Sequence, residues 1–242
     1  MFTKNPTECQ VILKGNVYIF FTSLLFMKLD VPIVLQTEKS LDCGLACASM
    51  LLKYYSIEKS IDELKEEIKI FENIGTYVPQ VGEYLIKQGF DVEIVTLNPH
   101  LFTSKFKDKS QDEILIFLKE AQKNPKKESF KEPLNFFIRF IEAGGKIKIK
   151  IPDIEDIKEE ISQGRPLGAL ITSNFLLFDK PIFNFHFNII NGFDNKSVYV
   201  NDPMWDYRGG NQKYPINDFL YGLYASAYGD LDNASLMKVK KR

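Results

Sequence analysis

The sequence predicts an α+β fold in which a central apolar helix packs against an antiparallel β-sheet. Residues 44–55 are apolar on nearly every side, which is typical of a helix buried in the middle of a domain. Residues 186–191 and 197–201 alternate polar and apolar side chains as strands do, and residues 167–172 form a short apolar run. We therefore expect a helix-rich half and a strand-rich half that pack against each other.

Local start and stop signals predict the remaining elements. Ser60 and Glu63 form a capping box, Gly89 closes a helix, and Pro125 and Pro133 interrupt a charged segment with helical periodicity. The elements predicted in this way are helices over 60–68 and 78–88, a strand over 90–95, two or three helices over 103–142, a strand over 146–151 and a helix over 152–164.

The composition is that of an ordinary globular chain. Its 242 residues are 45% hydrophobic and 26% charged, enough to bury a substantial core as one domain, alone or with an appendage. With 31 basic and 32 acidic residues the net charge is −1, so no global field favours nucleic acid, and we expect no nucleic-acid partner. Three cysteines cannot all pair, which favours reduced thiols and a cytoplasmic location.

The N-terminal part carries an apolar run at residues 17–27. Its eleven residues are too few to span a bilayer, which takes about 20, so we expect no stable membrane span. No small-x-small cleavage site follows it. We expect residues 1–27 to be an extension outside the fold; a packed strand or a weak membrane anchor are the alternatives. The domain is predicted over 28–235, with a helical insertion at about 103–143 and a solvated, frayed tail at 238–242.

Cys43 stands where the central helix is expected to begin. Unpaired N–H groups and a partial positive charge at a helix N-terminus stabilise a thiolate. The pKa of a cysteine there falls below its free value, and the sulfur becomes nucleophilic. Asp42, immediately before it, is a suitable N-cap residue.

A thiolate needs a base partner, and the chain contains only two histidines, His100 and His186. His186 opens a predicted strand, whereas His100 follows Pro99 in a predicted surface loop. The strand of His186 turns at residues 192–195 into a second strand that ends at Asp202. Such a hairpin brings Asp202 back beside His186, where a carboxylate fixes the imidazole tautomer and stabilises the imidazolium.

The order of these segments resembles the bacteriocin-processing, double-glycine leader peptidases of the papain-like cysteine peptidase clan. The matching segments are Gln36, then Asp42-Cys43-Gly44-Leu45-Ala46-Cys47 on a helix, then Gly75-Thr76 before another helix, then the strand of His186, then Asn201-Asp202-Pro203. The resemblance covers roughly residues 28–105 and 150–230. It implies a papain-like fold in which the cysteine-bearing helix packs on the sheet and the active site lies between the two halves.

The resemblance also implies a role for each matching residue. Cys43 would be the nucleophile, His186 the general base and Asp202 the orienting acid. Gln36 and the backbone N–H of Cys43 would donate to the oxyanion. The spacing between Gln36 and Cys43 is one residue longer than in the family, so the intervening loop must bulge. The charged insertion at 103–143 is expected to be a substrate-gripping element, a lid or an inert segment.

The main hypothesis is a cysteine peptidase that hydrolyses peptide bonds through a thioester, without metal or cofactor. If the family's preference holds, cleavage follows small residues such as Gly-Gly in a peptide or protein substrate. One alternative is an acyl or amide transferase that uses the same thioester; another is an inactive peptidase-like module that only binds peptides. A zinc site built from Cys43, Cys47 and His186 is poorly supported because a fourth strong ligand is missing from the pattern.

Overall fold

Eight strands form one sheet in the computed structural model, which describes residues 26–172, 185–232 and 234–242. Within these residues the strands are β1 (Met27–Lys28), β2 (Phe90–Thr96), β3 (Lys146–Ile149), β4 (Leu167–Ile171), β5 (His186–Phe193), β6 (Ser197–Asp202), β7 (Gly210–Pro215) and β8 (Ser235–Lys241). The helices of the same residues are α1 (Cys43–Tyr54), α2 (Ile61–Glu67), α3 (Val78–Lys87), α4 (Gln111–Lys123), α5 (Lys131–Glu142), α6 (Ile154–Ser162) and α7 (Ile216–Ala225).

The sheet is antiparallel except at one edge. Its strands follow the order β3-β2-β8-β4-β5-β6-β7, and β1 pairs with the end of β5. Strands β2 and β3 are parallel, and the chain between them contains α4 and α5, long enough for the crossover that parallel strands require. The predicted α+β class is confirmed; the parallel pair is a difference from the fully antiparallel sheet that the sequence predicted.

Two hydrophobic cores lie on opposite faces of the sheet. Ile189 belongs to the larger core and its neighbour Ile190 to the smaller one, and successive strand residues point to opposite faces. Helices α1, α3, α4 and α5 supply the larger core, with residues such as Leu45, Leu85, Leu118 and Phe137. Helices α6 and α7 supply the smaller core, with residues such as Ile157, Ile161, Phe219 and Leu223. Both faces of the sheet are therefore covered around β5.

Helix α1 is the buried central helix that its composition predicted. All residues from Gly44 to Leu52 are buried, and the helix packs directly on β5. A helix that is apolar all round gains stability only where every side is covered, which the sheet, α2 and α3 provide. This packing fixes the first residue of α1 against the start of β5.

The C-terminal segment differs from its prediction. The expectation of a frayed tail at residues 238–242 is wrong, because β8 lies inside the sheet between β2 and β4, although residues 240–242 are exposed as expected. Leu236, Met237 and Val239 are buried in the two cores. Lys238 is buried too, and its ammonium group pairs with Asp156 at 3.3 Å. The lysines that indicated a solvated end alternate with apolar residues, as strand residues do.

Of two further local expectations, one changes and one is confirmed. Pro133 does not interrupt a helix; it lies in the first turn of α5, where a missing N–H has no partner to lose. The capping box of Ser60 and Glu63 is present, as predicted.

At the N-terminal end, Met27 and Lys28 pair with the end of β5, at Phe193 and Gly192. A Cβ on Gly192 would lie 2.6 Å from the Met27 carbonyl, so glycine permits this close pairing. The other expectations for the N-terminal extension concern residues 1–25, which lie outside the described residues. In the part of the chain that the structure describes, no helix is long and apolar enough to cross a membrane.

Candidate active site

Cys43 is the first residue of α1, as the sequence predicted, and its side chain is partly exposed. The N–H groups of the first helical turn have no partner within the helix, so they face a sulfur placed there. The prediction that Asp42 caps the helix is wrong for its side chain, which makes no capping hydrogen bond. The Asp42 carboxylate turns back towards the preceding loop instead.

His186 and Asp202 meet at one end of the β5–β6 hairpin. The register pairs Ile189 with Asn201, which brings the last residue of β6 to the end of the sheet where β5 begins. The Nε2 atom of His186 lies 2.8 Å from Oδ1 of Asp202, and both residues are buried. The same oxygen accepts the backbone N–H of Met204 at 2.8 Å, which fixes the carboxylate. The hairpin geometry thus matches the prediction.

The imidazole of His186 also lies beside the thiol of Cys43. The side chain of Cys43 interacts with the imidazole of His186. Because Nε2 is engaged by Asp202, Nδ1 is the ring nitrogen that remains for the sulfur. Side chains from α1, β5 and β6 therefore meet at one place, with the imidazole between the thiol and the carboxylate.

Burial and the neighbouring groups have opposing effects on the pKa values of Cys43 and His186. Burial raises the pKa of the Cys43 thiol, but the hydrogen bond and charge of His186, with the backbone N–H groups of Phe187 and Gly44, lower it to a greater extent. The net pKa lies below the ordinary value of a cysteine. Burial lowers the pKa of His186, whereas its contacts with Asp202 and Cys43 raise it to about 10. Because the pKa of the imidazole lies above that of the thiol, the arrangement favours the thiolate–imidazolium pair over the neutral pair.

Gln36 reaches the same site through a folded loop. Its backbone N–H donates to the carbonyl of Pro203 at 2.7 Å, and its Nε2 donates to the carbonyl of Ser40 at 2.9 Å. The loop between Gln36 and Cys43 bulges, as the extra residue required, with Lys39 in the left-handed region at φ 57°. An amide nitrogen carries two N–H donors, so one remains after the bond to Ser40.

A cleft of about 560 Å³ contains Cys43, His186 and Gln36. Bulky side chains line it, among them Ile74, Tyr77, Phe185 and Trp205. Asp232 also lines the cleft; burial raises its pKa to about 7, and the nearby Asp230 adds to the rise. No sequence pattern indicated Asp232, since it lies in an irregular segment with no motif.

Cys47 and His100 take no part in this cleft. Cys47 is buried in the larger core, where burial raises the pKa of its thiol well above the ordinary value. The ring of His100 packs against that of Phe130, with 5.6 Å between their centroids. Among the residues that the structure describes, no group of three or more His, Cys, Asp or Glu side chains is arranged to hold a metal ion.

The sequence analysis did not predict the partners of the Asp42 side chain. The carboxylate accepts hydrogen bonds from Thr37 and Ser40 and pairs with Lys65 of α2 at 3.1 Å. The longer spacing between Gln36 and Cys43 predicted a bulge but not what would hold it. Lys65 carries no sequence signal because it belongs to an exposed helix rich in charges.

Comparisons with known proteins agree with this architecture. The model of the Peptidase C39 family matches residues 30–123, and that of a Peptidase C39-like family matches residues 126–230. No curated protein sequence matches the chain. The crystal structure of a C39-like peptidase from Bacillus anthracis shares 15% identity, covers 90% of this chain and 98% of its own, and has a TM-score of 0.53. That likeness shows a shared fold.

Two further solved structures are similar at lower TM-scores. One is a double glycine motif protease from an AMS/PCAT transporter in complex with the leader peptide, with 17% identity, coverage of 89% and 95%, and a TM-score of 0.46. The other is the peptidase domain of Streptococcus ComA, a bi-functional ABC transporter, with 14% identity, coverage of 87% and 98%, and a TM-score of 0.46.

The fold and the two sequence models define the class of this protein: it is a papain-like cysteine peptidase. Within that class the chain is similar to the Peptidase C39 family over residues 30–123 and to a Peptidase C39-like family over residues 126–230. The family resemblance that the sequence predicted is confirmed.

Proposed function

We propose that the peptidase cleaves peptide bonds with Cys43 as nucleophile, His186 as general base and acid, and Asp202 as the orienting carboxylate. The observation that carries the proposal is the hydrogen bond of the buried His186 imidazole to the buried Asp202 carboxylate, with Cys43 lining the same cleft as His186. The lowered pKa of the thiol and the raised pKa of the imidazole support the same assignment, since together they favour the nucleophilic form.

In the acylation half, the thiolate of Cys43 attacks the carbonyl carbon of the scissile bond. A C–S bond forms, and the carbonyl π electrons move to the oxygen. The imidazolium of His186 then gives its proton to the leaving amine, the C–N bond breaks, and a thioester remains. In the second half, His186 takes a proton from water, whose oxygen attacks the thioester, and the C–S bond breaks to restore the thiolate.

The developing oxyanion needs donors fixed in advance. We assign these to the backbone N–H of Cys43, which is unpaired at the helix start, and to the second N–H of Gln36 Nε2. Gln36 lines the same cleft as Cys43, and its amide is held by the Ser40 carbonyl, which supports this role. Loss of one such donor costs on the order of a hundredfold to a thousandfold in kcat in other hydrolases.

The substrate is a peptide cut after small residues, Gly-Gly being the family's preference. The bulky side chains of Phe185 and Trp205, which line the cleft, support this. Asp202 and His186 are buried, and His186 lines the cleft, so we expect the substrate to reach the imidazole through it.

The test uses peptides with Gly-Gly, Ala-Ala or Leu-Leu before the scissile bond, with and without a primary amine acceptor such as glycinamide. We expect hydrolysis after Gly-Gly, abolished in Cys43→Ala and retained in Cys47→Ala, whose thiol lies in the core. Predominant transfer to glycinamide would assign a transferase.

Iodoacetamide labelling tests the remaining alternative. We expect Cys43 to be alkylated rapidly at neutral pH and Cys47 slowly, because their thiol pKa values move in opposite directions. Slow labelling of Cys43 together with no cleavage of any peptide would identify a module that only binds.

A further inference from the structure

Asp42 is a fully buried carboxylate with an unusual set of partners. Its oxygens accept hydrogen bonds from the backbone N–H of Thr37 at 3.1 Å and from the Thr37 hydroxyl at 2.8 Å. The hydroxyl of Ser40 donates to the same carboxylate. The ammonium group of Lys65 on α2 lies 3.1 Å away. All of these partners except Lys65 belong to the loop that separates Gln36 from Cys43.

The carboxylate is ionised in this setting. Burial raises the pKa of Asp42, but the hydrogen bonds of Ser40 and Thr37 and the contact with Lys65 lower it to a greater extent, so the net pKa lies below its usual value. A buried anion of this kind is stable only while its donors stay in place. The loop therefore folds around the charge.

This loop in turn holds the amide of Gln36. The Ser40 carbonyl accepts from Gln36 Nε2 at 2.9 Å, while the Ser40 hydroxyl contacts Asp42. The Oε1 atom of Gln36 is buried with no hydrogen-bond partner among the described residues. In the described part of the chain, the contact with Ser40 is thus the hydrogen bond that orients this amide. Ser40 links the carboxylate of Asp42 to the donor of Gln36.

We infer that Asp42 is a positioning residue for the oxyanion site: its carboxylate, paired with Lys65, folds the bulged loop so that Ser40 holds the Gln36 amide beside Cys43. The inference rests on the proposed function, because it assigns Asp42 a purpose within that catalytic site. It also accounts for the absence of helix capping by Asp42, since the side chain is engaged on the loop side.

The first test is Asp42→Asn, which keeps the side-chain shape and removes the charge. We expect kcat to fall about tenfold to a hundredfold with little change in KM, since small displacements of a catalytic donor have effects of this size. The rate of iodoacetamide labelling at Cys43 and its pH dependence should stay the same, because no hydrogen bond joins Asp42 to the thiol or to His186. Asp62→Asn is the matched control: Asp62 also pairs with Lys65, but its side chain is 93% exposed.

A double-mutant cycle with Gln36→Ala separates positioning from general destabilisation. If Asp42 acts through Gln36, adding Asp42→Asn to Gln36→Ala causes no further loss of kcat. Where Asp42→Asn fails to fold, Ser40→Ala and Thr37→Val replace it and remove one donor each. Wild-type kcat in these variants, or multiplicative losses in the cycle, would overturn the inference.

The affinity for a peptide aldehyde tests the inference without requiring peptide cleavage. The Cys43 sulfur adds to the aldehyde carbon, and the former carbonyl oxygen, protonated by His186, occupies the oxyanion position. We expect Asp42→Asn and Gln36→Ala to weaken binding by the same factor, about tenfold. Unchanged aldehyde affinity in Asp42→Asn refutes the positioning role, whereas a wild-type protein that binds the aldehyde but cleaves no peptide refutes only the proposed hydrolysis.

Discussion

The reactivity of Cys43 depends on a partner that is itself buried. His186 carries a proton at neutral pH because Asp202 and the thiolate outweigh the effect of burial, which by itself lowers the pKa of the imidazole. The thiolate in turn depends on that proton. The two groups therefore titrate as a pair.

The coupled charges predict a bell-shaped pH profile of kcat/KM. Activity falls on the acid side as the thiolate takes a proton below the lowered pKa of Cys43, and on the alkaline side as His186 loses its proton near pH 10. In Asp202→Asn we expect the alkaline limb to move to lower pH, because the imidazolium loses its anionic partner. Steady-state kinetics from pH 5 to about 10.5 measure both limbs.

Asp194→Asn is the control for this profile, since Asp194 lies at the other end of the same hairpin and pairs with Lys213. Its profile should match that of the wild type. An alkaline limb that stays in place in Asp202→Asn would contradict the role of Asp202.

Gly44 and Thr76 are tightly apposed beside the thiol. A Cβ on Gly44 would lie 2.1 Å from Thr76 Oγ1 and 3.3 Å from the ring of Phe187. We expect Gly44→Ala to lower the free energy of unfolding by about 1–3 kcal/mol through overpacking. Urea denaturation followed by circular dichroism measures the change.

Thr76→Ala provides the rescue for that variant. Oγ1 of Thr76 is buried without a hydrogen-bond partner among the described residues, so its removal alone should cost little. Added to Gly44→Ala, it should restore most of the lost stability. Additive losses in the double variant would show that the apposition is not the cause.

At the scale of elements, buried asparagines join the β5–β6 hairpin to the N-terminal segment. Nδ2 of Asn201 on β6 donates to the Val31 carbonyl at 2.8 Å, and its Oδ1 accepts from Asn191 on β5 at 2.9 Å. These bonds tie the chain that leads to Gln36 to the strands that carry His186 and Asp202. Packing of α1 on β5 then completes the site.

Asn201→Ala is expected to lower the free energy of unfolding by about 2–3 kcal/mol, because it leaves a buried carbonyl and a buried amide without partners. Asn211→Ala is the matched control: Asn211 pairs with Asn201 across β6 and β7 but is exposed. Urea denaturation of both variants checks the difference. Equal, small effects would mean that the bonds to Asn201 add no net stability.

At the scale of the whole molecule, β8 joins the two parts of the sheet. It pairs with β2 along its full length and with β4 on its other side. The last strand of the chain therefore holds together elements that are far apart in sequence. Leu236 and Met237 belong to different cores. Both hydrophobic cores therefore depend on the same strand.

Deletion of residues 235–242 is expected to abolish cooperative unfolding and peptidase activity, because it exposes the edges of β2 and β4 and opens both cores. Deletion of Arg242 alone should have little effect, as it removes an exposed ion pair with Asp91 and one backbone hydrogen bond. Thermal denaturation by circular dichroism distinguishes the two. A cooperative, active protein without residues 235–242 would refute the central role of β8.

The sequence by itself determined the features that rest on local patterns. Apolar residues throughout α1 predicted a buried helix, and the alternation in β5 and β6 predicted the hairpin that brings Asp202 to His186. The choice of a base partner for Cys43 was also easy to predict, because the chain contains only two histidines. These features depend on short-range spacing, which a single sequence displays directly.

Only the tertiary structure decided how distant segments meet. Lys238 belongs to a basic terminal run, yet it is buried because β8 inserts between β2 and β4 and places it near Asp156. Asp42 sits at a helix start, yet it binds the loop before it because Lys65 of α2 lies within reach. The charge of Lys238 predicted an exposed side chain, and that of Asp42 predicted a helix cap. In both cases an oppositely charged residue from elsewhere in the chain stabilises a different, buried position. Such pairings depend on packing across the sheet and between helices. No short-range spacing in the sequence reports this packing.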